Sequence, residues 1–238
     1  MFITLLKKIY YEKYSKKSYS ISNVDLVIDR LFRDIEKGVY IDVGCNHPIK
    51  YNNTYLLYKR GWTGINIDLD ETSIKEFNII RKKDHNIQKM VGSLDGEEKE
   101  IYYYHERSAI NTLSKELAEK RTTKPREIIK KTSTTLNKII ENSPYRNKKI
   151  NLMSIDIENY EYEALKNFNF QRYKIDIIIT ECTDMSQSKL EIYNQSLEYI
   201  INTDLYKLLK KNNYKLINWV NSDLIFVKND YIPLQNKN

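Results

Sequence analysis

Short apolar runs alternate with helical patterns in the first part of the chain. Three runs predict strands buried on both faces, because such strands are apolar at nearly every position: residues 39–43 (VYIDV), 64–68 (GINID) and 86–92 (NIQKMVG). Two helical patterns separate them, at residues 52–60 and 71–83. Three consecutive strand–helix units predict a parallel sheet with right-handed crossovers.

The same alternation returns in the last third of the chain. Two further strands are predicted at 150–157 and 175–182, with helices at 160–168 and over roughly 190–211. Residues 214–220 (YKLINWV) and 223–228 (DLIFVK) then flank a short Asn-Ser turn. This arrangement predicts an antiparallel C-terminal hairpin on an otherwise parallel sheet.

Residues 93–149 follow a different pattern and form a predicted insertion. They contain a β-rich run at 101–104, a short helix at 114–121, an extended segment at 128–134 and a helix at 135–142. The chain therefore divides into an N-terminal helical segment, 1–37, and one α/β domain, 38–238, that carries the insertion.

Composition supports one folded domain and places its positive charge unevenly. The chain has 238 residues, is 41% hydrophobic and carries a net charge of +7. Residues 107–149 hold twelve Lys or Arg against four acidic residues, and residues 1–20 hold five lysines against one glutamate. Such patches attract phosphates or anionic glycans, although a solvated basic face is the simpler interpretation.

Two cysteines, Cys45 and Cys182, are too few and too far apart for a disulfide framework or a zinc site. The first residues lack the apolar core and cleavage site of a signal peptide, and no run of about 18 apolar residues predicts a membrane span. We therefore expect a cytoplasmic protein whose basic N-terminus is a solvated helix.

The first predicted strand exits as YIDVGCNHP, and its glycine permits close approach of a ligand to the backbone. A dinucleotide loop would need glycines where Asn46 and Ile49 stand. A nucleoside cofactor without a phosphate, such as S-adenosylmethionine, does not need those further glycines, so Gly44 alone can permit its close approach. Asp42 or Asn46 could then bind the amino-acid part of that cofactor. The alternative is an ordinary glycine between strand and loop.

The next two strand exits complete a predicted adenosine site. Asp68 lies 24 residues after Gly44, where a carboxylate accepts hydrogen bonds from a ribose diol; Asp70 is the alternative. Gly92 and Ser93 follow the third strand and are expected to flank the adenine.

The fourth strand ends in a pair of acidic residues, Asp156 and Glu158. They could hold a substrate hydroxyl, act as a general base or share a divalent cation; a metal is possible but not predicted. Alternatively, they serve as hydrogen-bond acceptor and helix N-terminal charge. His47 is a second candidate base, or a structural histidine in its loop.

The order of these motifs resembles the FkbM-type S-adenosylmethionine-dependent methyltransferases over roughly residues 38–228. The motifs are YIDVGCNHP, NNTYLLYKRGWTGINID, VGSLDGE, SAINTLSKE and SIDIENYEYEAL, followed by LIFVK. The resemblance implies a Rossmann-like class I methyltransferase fold, doubly wound, with a mostly parallel seven-stranded sheet and an antiparallel C-terminal hairpin. It also implies methylation of hydroxyl oxygens, often on glycans.

The resemblance extends the candidate site. Asn53 and Thr54 match an Asn-Thr that holds the first loop or lines the site, and Asn111 and Thr112 match a loop covering the cleft. The chain departs from the family where Asn159 replaces a usual glycine; asparagine tolerates the left-handed backbone that such a turn needs.

The predicted function is O-methylation of a sugar, glycan or related small molecule, with S-adenosylmethionine as cofactor. Asp156 or His47 is the predicted base, and Glu158 orients the acceptor. The alternatives are an RNA methyltransferase that uses residues 107–149, and a non-catalytic nucleotide- or partner-binding module. Few aromatics are interleaved with the basic residues, so we do not expect a nucleic-acid partner. The sequence indicates neither the acceptor nor the oligomeric state.

Overall fold

A computed structural model describes residues 15–186 and 196–231. In chain order its strands are β1 (Val39–Val43), β2 (Thr63–Asp68), β3 (His85–Gln88), β4 (Met90–Val91), β5 (Glu98–Tyr103), β6 (Glu127–Thr134), β7 (Leu152–Ile155), β8 (Ile177–Glu181), β9 (Tyr214–Val220) and β10 (Asp223–Lys228). Its helices are α1 (Val24–Leu31), α2 (Tyr55–Lys59), α3 (Glu71–Ile80), α4 (Lys115–Lys120), α5 (Leu136–Glu141), α6 (Glu161–Leu165), α7 (Leu197–Asn202) and α8 (Asp204–Lys211).

Seven strands form one sheet in the order β3-β2-β1-β7-β8-β10-β9. The first five are mutually parallel, and β10 runs antiparallel to both β8 and β9. The predicted mostly parallel seven-stranded sheet with its C-terminal hairpin is therefore confirmed. The order reverses direction at β1, so the carboxyl ends of β1, β2 and β7 meet at the point where doubly wound sheets bind ligands.

The predicted strand over 86–92 is divided between two sheets. Residues 85–88 form β3, whereas β4 pairs with β6 in a separate three-stranded sheet of order β4-β6-β5. Gly92 permits this second pairing, because a Cβ there would lie 2.7 Å from Cβ of Ser133. The rest of the insertion follows the prediction, with β5, α4, β6 and α5 in the expected order.

The long helix predicted over 190–211 is two helices in its described part. Thr203 has extended backbone angles that end α7, and its hydroxyl caps α8 by accepting from the amide of Tyr206. A residue at the N-cap of a helix has non-helical backbone angles. Thr203 therefore ends α7 at the same position where it caps α8. Residues 187–195 lie outside the described part of the chain.

The apolar core lies on both faces of the sheet. One cluster joins the helices α5, α6 and α8 to the sheet, and the other joins α1 to the opposite face through Val24, Ile28 and Phe32. Trp62 lies in this second cluster, fully buried. Of the predicted N-terminal helical segment, residues 15–37 are described, and Val24–Leu31 is helical. Most of the basic N-terminus that we expect to be a solvated helix, residues 1–14, lies outside the described part of the chain. Within the described ranges, no helix has the length and apolar character to cross a bilayer.

A buried arginine fixes the loop that follows β1. Arg81, at the end of α3, donates to the Pro48 carbonyl at 2.8 Å and to the Thr54 hydroxyl at 2.7 Å. Asp42 accepts from Thr54 at 2.7 Å and from Asn52 at 2.9 Å. Burial raises the pKa of Asp42, and the Arg81 charge opposes that rise. The guanidinium therefore compensates buried negative charge and also holds the loop.

Replacing Arg81 with methionine should cost about 3–5 kcal/mol of folding free energy, because a buried carboxylate loses its compensating charge. Urea denaturation measures this cost. The matched control is Lys82→Met, since Lys82 is the exposed next residue. Equal stability of the two variants would contradict the assigned role of Arg81.

Candidate active site

A cleft of about 230 Å³ opens at the carboxyl ends of the parallel strands. Its lining runs from Met90 after β3, through Asp68 and Gly44, to Asp156 after β7 and Glu181 at the end of β8. The strand order thus spreads the strand-end side chains along one groove, with acidic residues concentrated at the β7–β8 end.

Gly44 is required by contact between two strand exits. Its φ is +75°, and a Cβ would lie 1.8 Å from the carbonyl oxygen of Asp156. Its amide donates to the Ile67 carbonyl at 2.9 Å. Gly44 lines the cleft as expected. However, the group that approaches its backbone closely is the backbone of Asp156, not a ligand. The alternative of a strand-to-loop glycine therefore accounts for its conformation.

Asp68 is the carboxylate best placed for a ribose diol. One oxygen accepts from the Asn46 amide and the other from the Asp70 amide, each at 2.8 Å. Each oxygen keeps a second lone pair, and Asp68 lines the cleft half-buried. Burial raises its pKa to about 6. Asn46, with φ +48°, also lines the cleft and contributes backbone rather than side chain to Asp68.

Asp70, the alternative acid, has a structural role. It caps α3 by accepting from the Ser73 amide at 3.0 Å, and its other oxygen accepts from the Arg107 amide at 2.8 Å. The Asp70 carboxylate thus joins the insertion to α3. Because this role occupies both of its oxygens, Asp68 is the better candidate to accept hydrogen bonds from a ribose.

Three predicted cofactor residues lie away from the cleft lining. Asp42 is on the face of β1 that carries Tyr40, where it belongs to the Arg81 network. Gly92 and Ser93 are also outside the lining, because β4 diverts the chain; the Ser93 carbonyl accepts from Asn167. The cleft wall after β3 is instead formed by three earlier residues, Lys89, Met90 and Val91.

His47 lies outside the cleft lining, which favours the structural alternative for this histidine. Its Nδ1 accepts from the amides of Ile49 and Lys50, both at 3.0 Å. Burial lowers its pKa, a shift in the direction that favours this acceptor role of Nδ1. The interaction fixes the turn after β1, so His47 is poorly placed to act as a base.

The two Asn-Thr pairs hold loops. Thr54 bonds Asp42, and Asn53 donates to Ser154 at 3.4 Å. In the insertion, Asn111 lines the cleft, but its side chain is already engaged. Its amide oxygen accepts from the Tyr104 amide, and its amide nitrogen donates to the His105 carbonyl. Thr112 donates to the Glu158 carbonyl at 2.6 Å. The predicted covering loop is therefore one wall of the cleft.

Three carboxylates meet at the β7–β8 end of the cleft. Ligand oxygens of Asp156, Glu158 and Glu181 lie within 4.8 Å of one another. Loss of hydration inside the cleft, followed by the Glu181 charge, raises the pKa of Asp156. Burial also raises the pKa of Glu158 to about 7 and that of Glu181 to about 8. At this spacing the group can share protons or bind a divalent cation.

Sequence reasoning missed Glu181. It ends the most apolar strand of the chain, and pairing of Ile155 with Thr180 places it beside Asp156. The sequence feature that could have indicated Glu181 is its position as an acidic residue at the end of a predicted strand. Its relevance depends on β7 and β8 being neighbours, which the strand order in sequence does not reveal.

The backbone around Glu158 is held in an uncommon conformation. Glu158 and Asn159 have φ of +58° and +68°, so the expected tolerance of Asn159 for a left-handed turn is confirmed. A glutamate in this region is rare and persists where its surroundings hold it. Thr112 holds the Glu158 carbonyl, and Arg121 forms an ion pair with its carboxylate. The insertion therefore positions Glu158.

Half of the basic residues in 107–149 pair with carboxylates. The six ion pairs are Arg107–Glu76, Lys115–Glu119, Arg121–Glu158, Lys130–Glu98, Lys138–Asp95 and Lys149–Asp176. The segment is consequently less available to a polyanion than its composition suggests.

Comparison with known proteins identifies the domain. The sequence profile described as the methyltransferase FkbM domain matches residues 42–216. Comparison with curated proteins found no match. Among solved structures, monomeric WbdD is similar with 10% identity and a TM-score of 0.47, over 92% of this chain and 44% of its own. A TehB-like SAM-dependent methyltransferase from Corynebacterium glutamicum ATCC 13032 Kitasato has 11% identity and a TM-score of 0.42, over 94% of this chain and 96% of its own. The chain thus spans less than half of the first of these proteins.

Alanine at Gly44 should destabilise the protein far more than alanine at Gly61. Both glycines have positive φ, but nothing lies within 4 Å of a Cβ at Gly61. The left-handed conformation alone costs about 1–2 kcal/mol, and Gly44→Ala adds a clash with a backbone carbonyl. Urea denaturation of both variants measures the difference; equal losses would contradict the contact.

The variant Glu181→Gln should be more stable than the native chain at pH 9, with the difference shrinking towards pH 5. The folded-state pKa of about 8 lies above the usual glutamate value. Folding is therefore favoured while Glu181 is protonated, and that contribution is lost as pH rises through 8. Urea denaturation across pH 5–9 tests this, with the exposed Glu127→Gln as control. A pH-independent difference would contradict the shift.

Proposed function

Because the chain belongs to the methyltransferase FkbM family, we propose that it transfers a methyl group from S-adenosylmethionine to a hydroxyl oxygen of a sugar, glycan or related small molecule. The observation that carries the proposal is one cleft with Asp68 at the nucleoside end and a carboxylate cluster at the other. The first strand exit lacks the glycines of a pyrophosphate loop, which argues against a dinucleotide and is consistent with a cofactor that has no phosphate.

The cleft residues fit the cofactor. Asp68 offers two lone pairs for the ribose hydroxyls, and Leu69, Met90 and Val91 provide apolar surface beside it for a base. At the opposite end, the carboxylates of Asp156 and Glu181 attract a positive charge. That charge pattern suits a ligand whose sulfonium and amino group are both cationic.

In methyl transfer, the protein mainly positions the reacting groups and removes the proton of the acceptor. When bound, S-adenosylmethionine supplies a methyl group already activated by its positive sulfur. Asp156, open to the cleft, accepts the proton of the acceptor hydroxyl. Its raised pKa makes it a stronger base than a solvated aspartate once it is ionised.

Glu158 and Glu181 assist Asp156 from two sides. Glu158, held by Arg121 and by its own backbone turn, orients the acceptor through its carboxylate. Glu181, when it is ionised, adds a negative charge that raises the pKa of Asp156. Fixed orientation of this kind reduces the entropic barrier to reaction.

A small acceptor is favoured over RNA. Half of the basic residues in the insertion are paired with acidic groups, and the catalytic end of the cleft is acidic. A phosphate backbone would be repelled there.

The direct test is incubation with S-adenosylmethionine carrying a labelled methyl group and a panel of sugars, nucleotide sugars, polysaccharides and RNA. The proposal predicts label on a sugar oxygen, located by mass spectrometry and NMR. Label on RNA bases alone, or on nitrogen alone, would contradict it.

Two substitutions should separate binding from chemistry. Asp68→Ala should weaken S-adenosylhomocysteine binding by about 100-fold, since two hydrogen bonds to a charged group are lost. Asp156→Asn should lower methyl transfer by about 10²–10⁴-fold, a larger factor than its effect on S-adenosylhomocysteine affinity, because that ligand lacks the sulfonium charge. Calorimetry and the labelled-methyl assay measure the two quantities, with the exposed Asp34→Asn as control. Full activity of Asp156→Asn would remove Asp156 as the base.

A further inference from the structure

Two large apolar side chains remain exposed on the wall of the cleft. Ile21 is 68% exposed and Tyr51 is 62% exposed, and both residues line the cleft. Single exposed apolar residues on an open surface are ordinary. A ligand site, however, combines apolar and aromatic side chains with a few polar groups. Ile21 and Tyr51 therefore form a candidate binding surface, which we call the apolar ledge.

The loop that follows β1 places Tyr51 at the acidic end of the cleft. Asn53, two residues further along this loop, donates from its side chain to the Ser154 hydroxyl at 3.4 Å. Ser154 lies near the end of β7 and precedes Asp156 by two residues. The loop therefore brings Tyr51 to the exit of β7, where the carboxylate cluster begins.

Contacts of the N-terminal segment place Ile21 beside the same end. The next residue, Ser22, accepts a hydrogen bond from the side chain of Asn221, in the turn between β9 and β10. At the start of β10, Asp223 pairs with Glu181 at the end of β8. Ile21 therefore lies close to the exit of β8, and the apolar ledge flanks the carboxylates.

A buried carboxylate fixes the segment that carries Ile21. Asp25, in the first turn of α1 and 1% exposed, accepts from the Tyr19 amide at 2.7 Å and from two serine hydroxyls of the same segment. The Tyr19 carbonyl in turn accepts from the Asn52 amide at 3.0 Å. The segment is thus bonded to the loop that carries Tyr51, so the two parts of the ledge are held together.

The backbone at Tyr51 gives no reason for a tyrosine there. Its φ is +55°, in a region that glycine and asparagine adopt more readily than a bulky residue. A side chain of this size at such a position is exposed to the cleft rather than packed in the core. The aromatic ring itself is therefore the feature that the position offers to a ligand.

We infer that the apolar ledge binds one face of the ring of a neutral pyranoside acceptor, while the carboxylate cluster binds the hydroxyl groups of that ring. This inference rests on the proposed function. A pyranose ring presents C–H groups on its faces and hydroxyls around its edge, so it needs an apolar surface beside hydrogen-bond acceptors. An open-chain polyol has no flat apolar face, and an anionic sugar would be repelled by the carboxylates.

Saturation-transfer NMR on the native chain with saturating S-adenosylhomocysteine tests this inference. The probes are methyl glycopyranosides of hexoses and 6-deoxyhexoses, the matching open-chain alditols and the matching methyl glycosiduronates. We expect binding of at least one neutral glycopyranoside, with the strongest transfer to ring protons of one face. The alditol and the glycosiduronate should bind about tenfold more weakly or less tightly still.

Substitutions in the ledge should change the affinity for the acceptor and not for the cofactor. Tyr51→Ala should weaken the best-bound glycopyranoside about tenfold, whereas Tyr51→Phe keeps the ring and should bind as the native chain does. Ile21→Ser should weaken it about threefold, because a smaller contact area is lost. Calorimetry should give the native affinity for S-adenosylhomocysteine in all three variants.

The matched controls are Tyr162→Ala and Ile128→Ser. Both residues are exposed and lie outside the cleft lining, so neither affinity should change. Four results would overturn the inference. Unchanged glycopyranoside affinity in Tyr51→Ala, or a native chain that binds S-adenosylhomocysteine but none of the glycopyranosides, would refute the ledge and leave the cofactor assignment standing. An equal loss of S-adenosylhomocysteine affinity in Tyr51→Ala would assign the ledge to the cofactor. Failure of the folded native chain to bind S-adenosylhomocysteine would overturn the proposed function and, with it, this inference.

Discussion

The contact between Gly44 and the Asp156 carbonyl is the constraint on which the site depends. It brings the exits of two neighbouring strands closer than any side chain at position 44 would allow. One exit places the Asn46 amide on Asp68, and the other presents the carboxylate cluster. The nucleoside end and the acidic end of the cleft are joined at this contact, so a small displacement there would disturb both binding and chemistry.

Around this contact, charge is compensated unequally. Behind the first loop, Arg81 offsets buried acid and the network is largely satisfied by hydrogen bonds. In the cleft, three carboxylates cluster, and Arg121 forms its ion pair with one of them, Glu158. The first arrangement stabilises the fold, whereas the second leaves negative charge that a cationic ligand can neutralise.

The sequence predicted the sheet well because buried parallel strands and a C-terminal hairpin have clear patterns. It also placed Asp68 and Asp156 at strand exits, and both residues line the cleft. It could not find Arg81, since nothing local separates it from Lys82 and Lys83. It could not find Glu181 or Arg107 either, because their roles depend on strand order and on where the insertion docks.

Some residues predicted for the site lie outside the cleft because tertiary contacts engage them elsewhere. Asp42 and His47 have the right chemistry, but strand alternation turns Asp42 to the other face and His47 fixes its own turn. Gly92 and Ser93 were displaced when the chain left the main sheet at Lys89. These shifts arise from sheet pairing, which a single sequence specifies only weakly.

The proposed function requires one cleft that holds the nucleoside on Asp68 and the reacting end of the cofactor at Asp156. A crystal structure of the complex with S-adenosylhomocysteine tests it most directly. We expect both ribose hydroxyls on the Asp68 carboxylate and the sulfur facing the Asp156 side chain. A nucleoside bound outside this cleft, or with its sulfur directed away from Asp156, would contradict it.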